Sequence, residues 1–98
     1  MITKENLIEK INESKCLYLS KIGLNYCVYQ TERSFNGLWL RILIHDTFCE
    51  VNTYLDNDYI VSSTFYFNEI ENDDIYVTKY SIKIKNISFD FEYAKFCK

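Results

Sequence analysis

The sequence predicts an α+β domain: a short N-terminal helix followed by an antiparallel, mostly meandering sheet of about six to seven strands. Three observations carry this expectation. Apolar residues near the N-terminus fall at helical spacing, the period changes to two from Cys16 onward, and successive strand patterns flank short turn signals. Residues 1–98 should form a single domain, because a chain of 98 residues can bury one core but not a deep cleft between two lobes.

The helix is expected from Thr3 to about Lys15. Leu7, Ile8 and Ile11 share one face, while Lys4, Glu5, Glu9, Lys10 and Glu13 occupy the others. Thr3 suits the N-cap, Glu5 the positive end of the helix dipole and Lys15 the negative end.

From Cys16 the sequence favours β-branched and aromatic residues that suit a pleated surface. Leu17 to Ser20 reads as a short strand, and Leu24, Tyr26 and Val28 alternate with Asn25, Cys27 and Tyr29 in the next. Leu38 to Ile44 is apolar on both faces, which predicts a central strand. Before it, Ser34-Phe35-Asn36-Gly37 holds the Asn-Gly signal of a hairpin turn.

Cys49, Val51, Thr53 and Leu55 share a face, and the alternation resumes after Asp56-Asn57-Asp58 with Val61, Ser63, Phe65 and Phe67. A three-residue loop would keep these odd-numbered faces together. Near the C-terminus, a two-residue turn at Lys85-Asn86 explains the change of phase better than a bulged continuous strand, which would show the same shift; the turn opposes Ile84 to Ile87, Ile82 to Phe89 and Tyr80 to Phe91 on an apolar face. Lys83 then meets Ser88, Ser81 meets Asp90 and Lys79 meets Glu92 on the other.

Charge is unevenly distributed. No Lys or Arg lies between Arg41 and Lys79, whereas Asp46, Glu50, Asp56, Asp58, Glu69, Glu71, Asp73 and Asp74 all do, so this interval carries a formal −8 within a total of −3. A pI near 5.1 disfavours direct phosphate binding. An acidic face instead steers basic partners and rejects others. Together with Tyr59 and Tyr76, which suit interface anchors, these eight acids are the candidate partner-binding residues. Calcium is not expected, because Asp56-Asn57-Asp58 lacks the D-x-D-x-D-G loop and its closing Glu.

Cys16, Cys27, Cys49 and Cys97 form no C-x2-4-C pair, so no metal site is expected. The N-terminus carries Glu5, Glu9 and Glu13 where a secretory signal places apolar residues, and apolar runs such as Ile42-Leu43-Ile44 fall far short of the roughly 20 residues of a membrane span. The expected location is the cytoplasm, with reduced thiols. His45 and Asp46 are neighbours on a strand and point to opposite faces. No phosphate loop, nucleophile elbow or metalloprotease motif is present, so neither an enzyme nor a cofactor is expected.

The run Leu38-Trp39-Leu40-Arg41-Ile42-Leu43-Ile44, the hairpin to Tyr59-Ile60-Val61-Ser62-Ser63-Thr64-Phe65, the acidic Asn72-Asp73-Asp74-Ile75-Tyr76-Val77 and the closing Ser81-Ile82-Lys83-Ile84-Lys85 carry a resemblance in pattern. Over roughly residues 24 to 87 the chain resembles the small immunity proteins of bacterial contact-dependent growth inhibition systems. That resemblance implies a protein that binds a cognate toxin domain, often a nuclease, and neutralises it inside the producing cell. The family shares no site motif, so no functional residue carries over by position. On this reading the acids from Asp46 to Asp74 occlude a basic substrate site. The alternatives are a phage-encoded acidic inhibitor or DNA mimic, a carbohydrate-binding β module that stacks sugars on exposed aromatics, and a small hydrolase using Cys49 or His45.

Overall fold

The structure, a computed structural model, describes residues 1–32, 37–78 and 81–90. One helix, α1 (Lys4–Ser14), precedes a five-stranded antiparallel sheet of β1 (Tyr18–Ile22), β2 (Tyr26–Gln30), β3 (Leu38–His45), β4 (Phe48–Leu55) and β5 (Asp58–Tyr66). Two short 3-10 turns, Phe67–Glu69 and Asn72–Asp74, lead to a second sheet of β6 (Ile75–Val77), β7 (Ser81–Ile84) and β8 (Ile87–Asp90). Strand order is sequential in both sheets, so the predicted meander is present, with eight strands among the described residues divided between two sheets.

The helix begins as its sequence requires. The Thr3 hydroxyl accepts the Asn6 N–H at 3.1 Å, and the Asn6 side chain accepts the Thr3 N–H at 3.1 Å, a reciprocal cap. Leu7 and Ile11 are fully buried, with Ile8 packed beside them. Lys15 is the C-cap, in the left-handed region at φ 59°, rather than a last-turn cation.

β3 lies in the middle of the five-stranded sheet, as its two apolar faces predict. Its even-numbered residues Leu40, Ile42 and Ile44 join Cys49, Val51 and Phe65 in the core. Over them lie α1 and the inner face of the second sheet, represented by Ile75, Ile82, Ile84 and Phe89. Each such side chain withdrawn from water contributes about 1.5–3 kcal/mol.

The β7–β8 register is the predicted one: Ile84 opposes Ile87, Ile82 opposes Phe89, Lys83 opposes Ser88 and Ser81 opposes Asp90. Pairings predicted for Lys79, Tyr80, Phe91 and Glu92, the turn residues Ser34 to Asn36, and Cys97 lie outside the described residues.

The β4–β5 hairpin departs from expectation in detail. Leu55 opposes Asp58 across a two-residue turn of Asp56 and Asn57, and the register then shifts between Thr53 and Tyr54. Ile60 is the extra residue. Beyond this bulge Thr53 opposes Val61, Val51 opposes Ser63 and Cys49 opposes Phe65, which restores the predicted shared odd-numbered face.

Candidate functional site

The face of the five-stranded sheet turned away from the core carries the odd-numbered residues of β3, and rings from neighbouring strands assemble on it in two rows. At one end Trp39 stacks on Tyr54 at 4.4 Å and Tyr59 meets Tyr54 edge-on at 5.9 Å. The Arg41 guanidinium lies 5.0 Å from the Trp39 ring and 5.3 Å from that of Tyr54. At the other end His45 stacks on Phe48 at 4.2 Å, with Tyr26 and Tyr66 flanking at 5.8 Å. Between the rows Arg41 faces Asn52 across the ladder. Glu50 belongs to this face, 3.6 Å from His45 Nε2 and half-buried.

The remaining predicted acids divide between the two ends of β4. Asp56 and Asp58 stand at the turn into β5. The Asp56 N–H donates to the Gly37 carbonyl at 2.8 Å, and its own carbonyl accepts the Trp39 indole N–H at 2.6 Å. Gly37 has φ 89°, and a Cβ there would collide with the Asp56 carboxylate. This turn is therefore braced against the start of β3, with Tyr59 more than half exposed beside it.

Asp46 lies at the opposite end, in the turn between β3 and β4. Eight residues of β4 at about 3.4 Å each place the two turns roughly 25 Å apart. Asp46 pairs with Lys4 Nζ at 3.0 Å, and this hydrogen-bonded carboxylate holds the Lys4 ammonium above its ordinary pKa. Phe67 links the segments here: its N–H donates to the Thr47 carbonyl at 2.9 Å, and its carbonyl accepts the Ile2 N–H at 3.3 Å. Together they border a cleft of about 520 Å³ whose lining includes Ile2, Lys4, Glu5, Asp46 and Tyr66.

The four acids of the connecting loop have separate roles. Glu71 accepts the N-terminal ammonium through both carboxylate oxygens at 3.0 Å, and Asp74 accepts the Glu71 N–H at 2.9 Å. Glu69 and Asp73 are exposed and form no ion pair with another described residue; the same holds for Asp58. Tyr76 is exposed on β6, opposite Lys83 on the outer face of the second sheet. The structure thus brings Asp56, Asp58 and Tyr59 together, sets Asp46 and Glu69 beyond the other end of β5, and places Asp73, Asp74 and Tyr76 at the start of the second sheet.

What sequence reasoning missed is not β5, which it expected as the second strand of a hairpin, but its place at the edge of the sheet. β5 is the last strand of its sheet, and among the described residues no strand pairs with its outer edge. Tyr59, Ile60, Val61 and Tyr66 are each about half exposed. The legible signal was the run from Asp58 to Tyr66, which has no Lys, Arg or Pro.

The cysteine chemistry is equally definite. His45 lies on the outer sheet face and Cys49 on the core face, so the two form no dyad. Burial pushes the Cys49 thiol up to about 12, and the nearby Glu50 charge adds to the shift. Cys16 and Cys27 are half-buried free thiols, and burial also raises Cys27. Among the described residues no three His, Cys, Asp or Glu side chains converge as a metal cage, and no helix is long and apolar enough to cross a membrane.

Comparisons with known protein families, curated proteins and solved structures find no match to this chain.

Proposed function

We propose that this chain is a protein-binding inhibitor of the immunity type, which docks on a basic toxin domain such as a nuclease and covers the surface that holds its substrate. One observation carries the reading. Asp58 and Glu69, which form no ion pair with another described residue, stand at opposite ends of β5, whose outer edge no described strand covers and on which Tyr59 and Tyr66 are exposed. The acids raise the rate of encounter with a basic surface, and the tyrosines supply contact area at low entropic cost.

The glycan-binding alternative draws less support. Trp39 is only 9% exposed, stacked on Tyr54 and adjoined by Arg41, which leaves little ring face for a sugar.

The test is to express the C-terminal domain encoded immediately upstream of this gene, with and without this protein, and to follow cell growth. Arrest relieved only by this protein supports the inhibitor reading. A harmless upstream product, or toxicity that persists in its presence, overturns it.

A further inference from the structure

We propose that the outer edge of β5 is a strand-docking site whose occupant is a basic, extended segment of a partner protein, added to the sheet as a sixth strand. The proposal rests on the inhibitor reading above and specifies how contact is made.

The two edges of the five-stranded sheet are built differently. β1, the first edge, has five residues, carries Lys21 and is broken by a register shift between Leu19 and Lys21. Such features discourage pairing with another chain. β5 has nine residues and neither Lys, Arg nor Pro. Its irregularity is confined to Ile60 near the start, so Val61 to Tyr66 continue in unbroken register with β4. Along this run Val61, Ser62, Thr64 and Tyr66 are exposed, and β-branched and aromatic side chains suit strand pairing. The outward N–H and C=O groups of such an edge are a template for an added strand.

Charge identifies the occupant. Asp56 and Asp58 lie at the start of β5, while Asp46 and Glu69 lie beyond its end. A second copy of this chain would meet acid with acid in either orientation. Parallel pairing aligns the two Asp58 side chains, and antiparallel pairing brings Asp58 of one copy toward Glu69 of the other. A partner segment with Lys or Arg at both ends of an uncharged strand meets opposite charge at both. The length of β5 calls for about eight or nine residues between those cations, near 3.4 Å each.

The probe is a synthetic peptide of alternating Thr and Val flanked by Lys at both ends, added to the isotope-labelled full chain. The expected result is a roughly tenfold slowing of hydrogen exchange at outward-facing amides of β5, weakening as salt is raised. A Glu-flanked peptide should leave β5 unchanged, and so should a Lys-flanked peptide N-methylated at alternate residues, which cannot complete the ladder. Equal binding of the N-methylated peptide overturns strand addition, equal binding of the Glu-flanked peptide overturns the basic occupant, and no response of β5 to the Lys-flanked peptide overturns both. Concentration-dependent shifts confined to β5 without peptide would identify a second copy as the occupant and likewise overturn the proposal.

Thr64→Lys separates this proposal from the reading beneath it. Thr64 is exposed and opposes Glu50, so a lysine there is compatible with the fold and repels a basic strand. Loss of both peptide docking and cell protection by the folded variant is expected. Retained protection without peptide docking leaves the inhibitor reading standing and removes the strand-docking site.

Discussion

The Lys4 ammonium lies 3.0 Å from the Asp46 carboxylate, tying the first turn of α1 to the turn between β3 and β4 across 42 residues of sequence. Because the pair raises the Lys4 pKa above 10.5, its stabilisation is complete below that value and disappears as pH rises through the raised folded value. Thermal unfolding of Asp46→Asn should therefore show a lower midpoint than the parent at neutral pH. The gap should close once pH exceeds the lysine range and should narrow in high salt.

Cys49 gives a pH dependence with its own window. Its thiol titrates near 12 in the folded chain and near 9.0 when exposed, so between those values the unfolded chain releases a proton that the folded chain keeps. Stability falls as pH rises through that window and is unaffected below it. In urea titrations Cys49→Ala should cost about 1 kcal/mol at neutral pH through lost packing, and it should flatten the alkaline decline. Cys27, shifted in the same direction, retains part of the slope. A thiol reagent should modify Cys16 well before Cys49 in the native protein.

Positive φ angles at the hairpin turns yield opposite responses to substitution. Lys85 opens the β7–β8 turn at φ 56°, where a side chain is strained and glycine is not, so Lys85→Gly should raise stability by about 0.5–1 kcal/mol. Gly37 needs its φ of 89° and has no space for a Cβ beside Asp56. Gly37→Ala should cost about 1–3 kcal/mol and disturb the Asp56–Asn57 turn. Calorimetry of the two variants checks both signs.

For association, the loop acids should separate into two classes. Reversing Asp58 and Glu69 to lysine removes negative charge without breaking an internal ion pair among the described residues, and on the proposed inhibitor function it should slow binding to the cognate toxin domain by roughly tenfold at low salt. Stopped-flow mixing at low and high salt measures this, and an unchanged rate would remove β5's ends from the interface. Reversing Glu71 or Asp74 should instead lower the unfolding midpoint, since these residues hold the N-terminal ammonium and the second 3-10 turn.

The features most legible in the sequence are those set by alternation between near neighbours. Ile82, Ile84, Ile87 and Phe89 share an apolar face if a turn falls at Lys85-Asn86 or if a continuous strand bulges there, and the observed register is that of the turn. β3 was recognisable because Leu40, Ile42 and Ile44 alternate with Trp39 and Leu43, leaving no fully polar face. The division into two sheets was not legible. Asn68 to Asp74 reads as a polar loop, yet Phe67 and Ile70 within and beside it are buried and anchor the crossing. The bulge at Ile60 was hidden as well, because a two-residue turn plus one extra residue preserves the same parity as a three-residue loop. The acids could be counted from sequence, but their separation depends on the length of β4 and the position of both its turns.

Each strand of both sheets is paired with the strand before or after it in the chain, so each pairing closes only a short loop at a small entropic cost. Hydrogen bonds across a much longer separation join the first two residues to Phe67 and Glu71. A chain emerging from the ribosome can therefore zip the first five strands in order as soon as Tyr66 is clear. Its N-terminal end, synthesised first, then serves as the latch on which the second sheet closes.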